Sequence, residues 1–314
     1  MTQQTRPNGT LRHLLTLEGM SRPAIEALLT RAQKFVKPVG EAPVHNESLA
    51  GITVANMFTE PSTRTRVSFE LAAKRLGADV VNLEVQLSSR VKGESMLDTI
   101  YTLEACHVDV FVIRDAEAGV PGIVAANVQP HACVLSAGEA HVAHPTQGLL
   151  DALTILQVKK KFDGLKVAIV GDVKHSRVAR SAWHVLGTLG VAEIRIVSPR
   201  GLAPDASEFA GCERHTSIES GIAGADVIMM LRIQKERMAT AAIPDADRYF
   251  AKFGLSSERL AKAKPDAIVM HPGPLNRGVE IDSAVADGSH AVILSQVTFG
   301  IAVRMAVMSI LAGN

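Results

Sequence analysis

The sequence predicts an α/β protein of two domains, each a mainly parallel sheet covered by helices, with the C-terminal helix returning to the first domain. Three observations carry this expectation. Short β-rich runs alternate with helical patterns almost throughout the chain. The runs are near-continuously apolar, as suits strands of a parallel sheet buried on both faces. The alternation pauses once, at a long helical pattern, and then starts again. At 314 residues the chain is long for one core and comfortable for two.

In chain order, "ITVANMF", "ADVVNLE", "VDVFVIR" and "HACVLSA" read as the first series of strands. Helical patterns separate them. "VSFELAAKRLG" carries Val67, Leu71 and Ala72 at helical spacing before Gly77, and "SMLDTIYTLEACH" follows the second strand. The long pattern "PTQGLLDALTILQVKKKF" leads into a second series, "LKVAIVGD", "AEIRIVSP", "ADVIMML" and "AIVMHPGP". The final "QVTFGIAVRMAVMSILAGN" reads as a helix that packs back on the first domain. The expected domains are 1–143 plus 296–314, and 144–295.

Composition narrows the function classes. A hydrophobic share of 47%, a charged share of 21% and a net charge of +1 describe an ordinary globular chain with no broad attraction to nucleic acid or an anionic membrane. Any basic site must be local. Cys106, Cys133 and Cys212 are scattered with no C-x-x-C pair, which argues against a disulfide framework or structural zinc and for a reducing cytoplasm. The N-terminus lacks the apolar core of a signal peptide, and no apolar run is expected to be long enough to span a bilayer.

The most informative stretch is "FTEPSTRTRVSFE", residues 58–70, a corner between a strand and a helix. The first N–H groups of a helix lack partners and the macrodipole adds partial positive charge, so such a corner favours an anion. Ser62, Thr63 and Thr65 add hydroxyl donors, and Arg64 and Arg66 add guanidinium forks matched to phosphate oxygens. The competing reading is a plain Ser/Thr cap with solvated arginines.

Six further stretches add chemistry. "SSRVKGES" (88–95) is either a functional basic loop with Ser88 and Lys92 or a solvated turn. Arg114 ends a strand in "VIRDAEAG", the end at which open parallel sheets bind ligands. In "HPTQGLLDALT", His144 and Gln147 stand three apart on one helix face, where an imidazole can donate to a developing oxyanion or serve only as a cap. "GDVKHSRVARS" has one glycine where a dinucleotide fingerprint needs three, so a nicotinamide site is rejected; Arg177 at its helix start suits a carboxylate. "MMLRIQKERM" puts Arg232 and Gln234 after a strand, with no interleaved aromatic to favour nucleic acid. "MHPGPLNRG" sets two prolines around Gly273, a rigid loop in which a cis prolyl bond is expected as an option. Together, Arg64, Lys92, Arg114, Arg177 and Arg232, with His144, stand at strand ends or adjoining loops. The implied ligands carry several negative charges.

In this order, "STRTRVSFE", "KGES", "HPTQ", "GDVKHSR", "RIQKER" and "HPGPLNRG" resemble the aspartate/ornithine carbamoyltransferase family over nearly the whole chain. Within it they look like the catalytic chains that act on aspartate. "STRTR" and "HP-x-Q" belong to the whole family. The basic "RIQKER" and the "HPGP" loop, where ornithine enzymes carry an acidic loop and "HCLP", point to a dicarboxylate acceptor. Glu139 and Ala140 stand where relatives often have Asp and Gly.

The resemblance implies transfer of the carbamoyl group of carbamoyl phosphate to L-aspartate, an early step of de novo pyrimidine biosynthesis, with no cofactor and no metal. It implies that Ser62, Thr63, Arg64, Thr65 and Arg114 hold the phosphate, and that His144 and Gln147 address the carbamoyl group, with Thr65 assisting His144. Arg177, Arg232 and Gln234 would hold aspartate, while Gly273 and Pro274 supply backbone carbonyls near the substrates. Ser88 and Lys92 match residues donated by a neighbouring subunit, so a homotrimer with shared active sites is implied. Regulatory or dihydroorotase-type partner chains are compatible with it, as is an ornithine enzyme or a silent homologue acting as a scaffold.

Overall fold

The computed structural model describes residues 4–84, 93–234, 238 and 245–313. The chain divides into two units, Met1–Leu153 with Thr298–Asn314, and Thr154–Val297.

The first unit contains α1 (Arg22–Gln33), β1 (Thr53–Phe58), α2 (Thr63–Arg75), β2 (Asp79–Glu84), α3 (Met96–Ala105), β3 (Val110–Asp115), α4 (Val120–Asn127), β4 (Cys133–Glu139) and the start of α5 (Pro145–Lys159). Among the described residues its sheet has four strands in the order β2-β1-β3-β4, all parallel. The chain steps to one side of β1 to make β2 and to the other side to make β3. The sheet therefore has a switch point between β1 and β3, where a crevice opens at the carboxyl ends of the strands. Met57, Ile100, Phe111, Ile113 and Val134 fill one face as a buried cluster.

The outer edge of β4 is sealed by the N-terminal segment. Leu14 bridges Leu135 in parallel, and the buried His13 accepts at Nδ1 from Val134 N–H at 2.9 Å. Covering an edge in this way removes unpaired backbone groups that would otherwise recruit another strand.

The second unit continues with β5 (Lys166–Val170), α6 (Arg177–Thr188), β6 (Glu193–Val197), a 3-10 turn at Arg200–Leu202, β7 (Glu213–His215), α7 (Ile218–Ile222), β8 (Val227–Met230), α8 (Ala246–Phe253), α9 (Ser257–Leu260), β9 (Ile268–Met270), α10 (Ser283–Ala286) and the start of α11 (Ile293–Leu311). The sheet order is β7-β6-β5-β8-β9, again parallel, with its switch point between β5 and β8. Val170, Val197, Ile228, Met230 and Phe253 belong to its buried core.

All eight expected strands are present. β7 was not expected, because "ERH" is a short, charged edge strand with no apolar signature. The apolar face of α2 also differs from expectation. Phe69, Ala72 and Ala73 are buried, whereas Val67 and Leu71 are 44% and 37% exposed and point away from the core.

α11 returns to the first unit as expected. Arg6 Nη2 donates to Leu311 O at 2.8 Å, Arg31 Nε donates to Ser309 Oγ at 3.2 Å, and Arg304 stacks 4.8 Å from the Phe69 ring centroid. By length and composition α11 could cross a membrane, which corrects the expectation that no run is long enough. The run qualifies despite Gln296 and Arg304, both of which are buried inside the protein as in a core helix.

Candidate active site

Ser62 stands at the N-cap of α2 yet makes no side-chain capping bond. Among the described residues, every other serine or aspartate N-cap does, as Ser176 does for Ala179 N–H at 3.1 Å. The plain cap reading therefore fails here. The Ser62 hydroxyl is not spent on the first helix turn, in which Thr65 is buried and Arg64 is exposed at the corner.

The strand register brings Arg114 to this corner. Phe58 pairs with Arg114 across β1 and β3, and Thr59 N–H donates to Arg114 O at 3.0 Å. Opposite Arg114 the β3–β4 register slips by one residue, between the pairs Ile113–Ser136 and Asp115–Glu139. Such slips re-aim side chains near sites. The Arg114 guanidinium is held by Glu60 (Nε to Oε2, 3.2 Å) and donates to Ala137 O at 3.4 Å.

After β4 the chain turns back within five residues, 139 to 143, with Glu139 N–H donating to Ala143 O at 2.9 Å. Ala140 sits at φ +40°, in the left-handed region, which explains why glycine suits this position. The turn delivers His144, buried, to the head of α5, where its carbonyl accepts from Gln147 and Gly148 N–H at 3.0 and 3.1 Å. Pro145 at the first helical position suits the start. Gln147 is also buried, and its Nε2 donates to Asp151 Oδ1 at 2.9 Å. One of the two amide N–H groups of Gln147 is thereby used on Asp151.

The second switch point is built the same way. Gly171, at φ +129°, follows β5 where a Cβ would lie 2.4 Å from Leu231 O, so only glycine permits the close approach of the loops after β5 and β8. Asp172, fully buried, ties those loops together. One carboxylate oxygen accepts from Gln234 N–H at 3.0 Å and the other bonds His175 Nδ1 at 2.8 Å. Arg177 opens α6 and is 5% exposed, while Arg232 and Gln234 are half-buried in the loop after β8. Gly273 and Pro274 follow β9, with a cis bond between them and Gly273 at φ +67°.

The structure thus gathers Ser62, Thr63, Arg64, Thr65, Arg114, His144 and Gln147 at the carboxyl ends of β1, β3 and β4. It gathers Arg177, Arg232, Gln234, Gly273 and Pro274 at those of β5, β8 and β9. Ser88 and Lys92 lie outside the described residues. Three acidic residues were missed: Glu60, Asp151 and Asp172. Each orients a site residue. Asp172 was signalled by its place directly after a strand-end glycine; Glu60 and Asp151 carried no signal, because their partners are met only in the folded chain. Among the described residues no cluster of three or more His, Cys, Asp or Glu could hold a metal ion.

These features define a parallel α/β protein of two units, each with cationic and polar side chains collected at the carboxyl ends of its strands. Two family profiles match the chain: the carbamoyl-P binding domain of aspartate/ornithine carbamoyltransferase at residues 12–157, and the Asp/Orn binding domain at 163–311. The chain belongs to the aspartate/ornithine carbamoyltransferase family. It is similar to aspartate transcarbamoylase from Trypanosoma cruzi in complex with carbamoyl aspartate and phosphate, at 30% identity over 95% of each chain and a TM-score of 0.85. The T. cruzi enzyme in complex with N-(phosphonacetyl)-L-aspartic acid also matches at 30% over 95% of each chain, with a TM-score of 0.84. Ornithine carbamoyltransferase from Thermus thermophilus matches at 25% over 96% of this chain and 98% of its own, with a TM-score of 0.83.

Proposed function

We propose that this chain transfers the carbamoyl group of carbamoyl phosphate to the α-amine of L-aspartate, giving N-carbamoyl-L-aspartate and phosphate, as an early step of pyrimidine synthesis in the cytoplasm. The observation that carries the choice of acceptor is the second switch point. Arg177 and Arg232, with Gln234 anchored through Asp172, offer cationic and polar groups to carboxylates. An ornithine side chain would bring a like charge.

We assign carbamoyl phosphate to the first unit and aspartate to the second, as the two matched family descriptions divide them. Ser62, Thr63, Arg64, Thr65 and Arg114 hold the phosphate. Gln147 accepts from the carbamoyl amide through its carbonyl oxygen, and His144 donates to the carbamoyl oxygen. The neutral α-amine attacks the carbamoyl carbon, so a C–N bond forms and the oxygen gains charge, which His144 and Thr65 stabilise. The C–O bond to phosphate then breaks, and the departing phosphate takes the amine proton. Orientation of the two substrates can supply roughly 7–11 kcal/mol of barrier reduction, with fixed donors at the oxyanion adding to it.

The trimer belongs to the same proposal, with Ser88 and Lys92 completing a neighbour's site. Exposed Val67 and Leu71 on α2 and Val81, 40% exposed on the adjacent edge strand β2, supply apolar surface for such an assembly. The deciding experiment is a carbamoylation assay on the purified chain with L-aspartate and L-ornithine offered separately. Product from aspartate alone is expected. Product from ornithine alone would reverse the assignment, and none from either would leave a silent homologue.

A further inference from the structure

Asn56 is fully buried in the middle of β1, where a strand covered on both faces ordinarily carries an apolar residue. It pairs in register with Asn82 of β2, and its Nδ2 donates to Asn82 Oδ1 at 3.0 Å. Asn82 Nδ2 donates in turn to Glu70 Oε2 of α2 at 3.0 Å, and Glu70 Oε1 accepts from Lys74 Nζ at 2.6 Å. The Lys74 ammonium holds the Glu70 carboxyl below its usual range, aided by the Asn82 amide and the Arg66 charge. An ionised carboxylate can only accept, so it obliges Asn82 to present its amide nitrogen, and the Asn82 oxygen obliges Asn56 to do the same. One charge on α2 thus sets the direction of two amides. The relay ends at Asn56 Oδ1, which is buried and has no hydrogen-bond partner among the described residues.

The whole relay lies within the first unit. An unpaired buried oxygen costs stability, and an apolar side chain of the same shape avoids that cost. Stability therefore does not account for Asn56. What the relay supplies is direction. α2 is buried through Phe69, Ala72 and Ala73, and apolar contact of this kind is non-directional. The Asn82–Glu70 and Asn56–Asn82 bonds add a directional tie from the helix to both neighbouring strands. On β1, Asn56 shares a face with Phe58, the residue in register with Arg114.

We infer that Glu70, Asn82 and Asn56 are positioning residues for phosphate: by fixing the rotation of α2 against β1 and β2, they set the Ser62 and Thr63 hydroxyls and the first N–H groups of α2 relative to Arg114. This rests on the proposed function, in which that corner holds the phosphate of carbamoyl phosphate. The three side chains act through the helix and not on the ligand itself.

The test measures binding of inorganic phosphate and thermal melts on the full chain. Glu70→Ala breaks the relay at its charged end and is expected to bind phosphate about tenfold more weakly, the scale on which one misdirected charged hydrogen bond is felt. Glu70→Gln keeps an acceptor oxygen for Asn82 and is expected to restore most of the affinity. Lys74→Ala removes the exposed ion pair but leaves the relay, and keeps the wild-type affinity. Asn56→Leu has the same branched shape without the orphan oxygen. It is expected to melt no lower than the wild type and still to lose about tenfold in phosphate affinity, a combination that a purely stabilising role does not produce. Wild-type affinity in a folded Glu70→Ala overturns the inference, as does equal loss in Glu70→Ala and Glu70→Gln. If Glu70→Ala fails to fold, Asn56→Leu decides, and wild-type phosphate affinity there overturns the relay. A wild-type chain that binds no inorganic phosphate overturns the reading of the corner and the relay with it, whereas a wild type that binds phosphate beside indifferent variants overturns the relay alone.

Discussion

Gln147 donates its side-chain amide to Asp151 at 2.9 Å, both residues being buried in the first half of α5. Asp151 also faces Arg304 of α11, whose guanidinium is pushed down to about 10 by burial, with the Asp151 charge opposing that shift. Removing the charge of Asp151 leaves that cation buried without its countercharge, which typically costs about 3–5 kcal/mol. Asp151→Asn should therefore destabilise strongly while keeping an acceptor for Gln147, and adding Arg304→Met should recover most of the loss. Denaturant unfolding of the single and double variants measures this; additive losses would show that the two charges are uncoupled.

Arg232→Ala should raise KM for aspartate far more than KM for carbamoyl phosphate. Its side chain stands at the end of β8, in the unit to which the dicarboxylate is assigned. Steady-state kinetics with each substrate varied in turn separates this from general damage, which would raise both constants together.

Arg64→Ala should leave the fold intact, because Arg64 is exposed at the corner, and should lower turnover about a hundredfold, the usual effect of losing one charge-stabilising donor. Mixed with Lys92→Ala under conditions that exchange subunits, it should regain activity. Every hybrid ring of three has one junction where both residues are intact, and with equal random mixing about three quarters of rings are hybrids, giving roughly one quarter of wild-type activity. Verified exchange with no recovery would rule out shared sites.

His13 predicts a pH dependence of stability. Burial, aided by the Arg12 and Arg6 charges, pushes its imidazole from 6.5 down to about 4 in the folded chain. The unfolded chain therefore takes up the proton first as pH falls. This contribution is complete above about 6.5 and is lost as pH drops toward 4. His13→Asn retains an acceptor for Val134 N–H without the titration. Its melting temperature should fall less than the wild type's between pH 7 and pH 5; parallel curves would remove His13 from the account.

Local order along the chain was enough to announce the strands, the switch from one series to the next, and the cationic corners at Arg64, Arg114, Arg177 and Arg232. Continuous apolar runs and strand-end basic residues are written in neighbouring positions, so a linear reading captures them. It could not assign the switch points, which arise from the strand orders β2-β1-β3-β4 and β7-β6-β5-β8-β9 and set Phe58 beside Arg114 across 56 positions of sequence. Nor could it single out Glu60 or Asp151. An acidic side chain is read as solvated until folding removes water from it, and only then does the contact it makes decide where a neighbouring Arg or Gln points. The kinds of group in the site were determined by the sequence; their directions were decided by burial, which only the tertiary structure imposes.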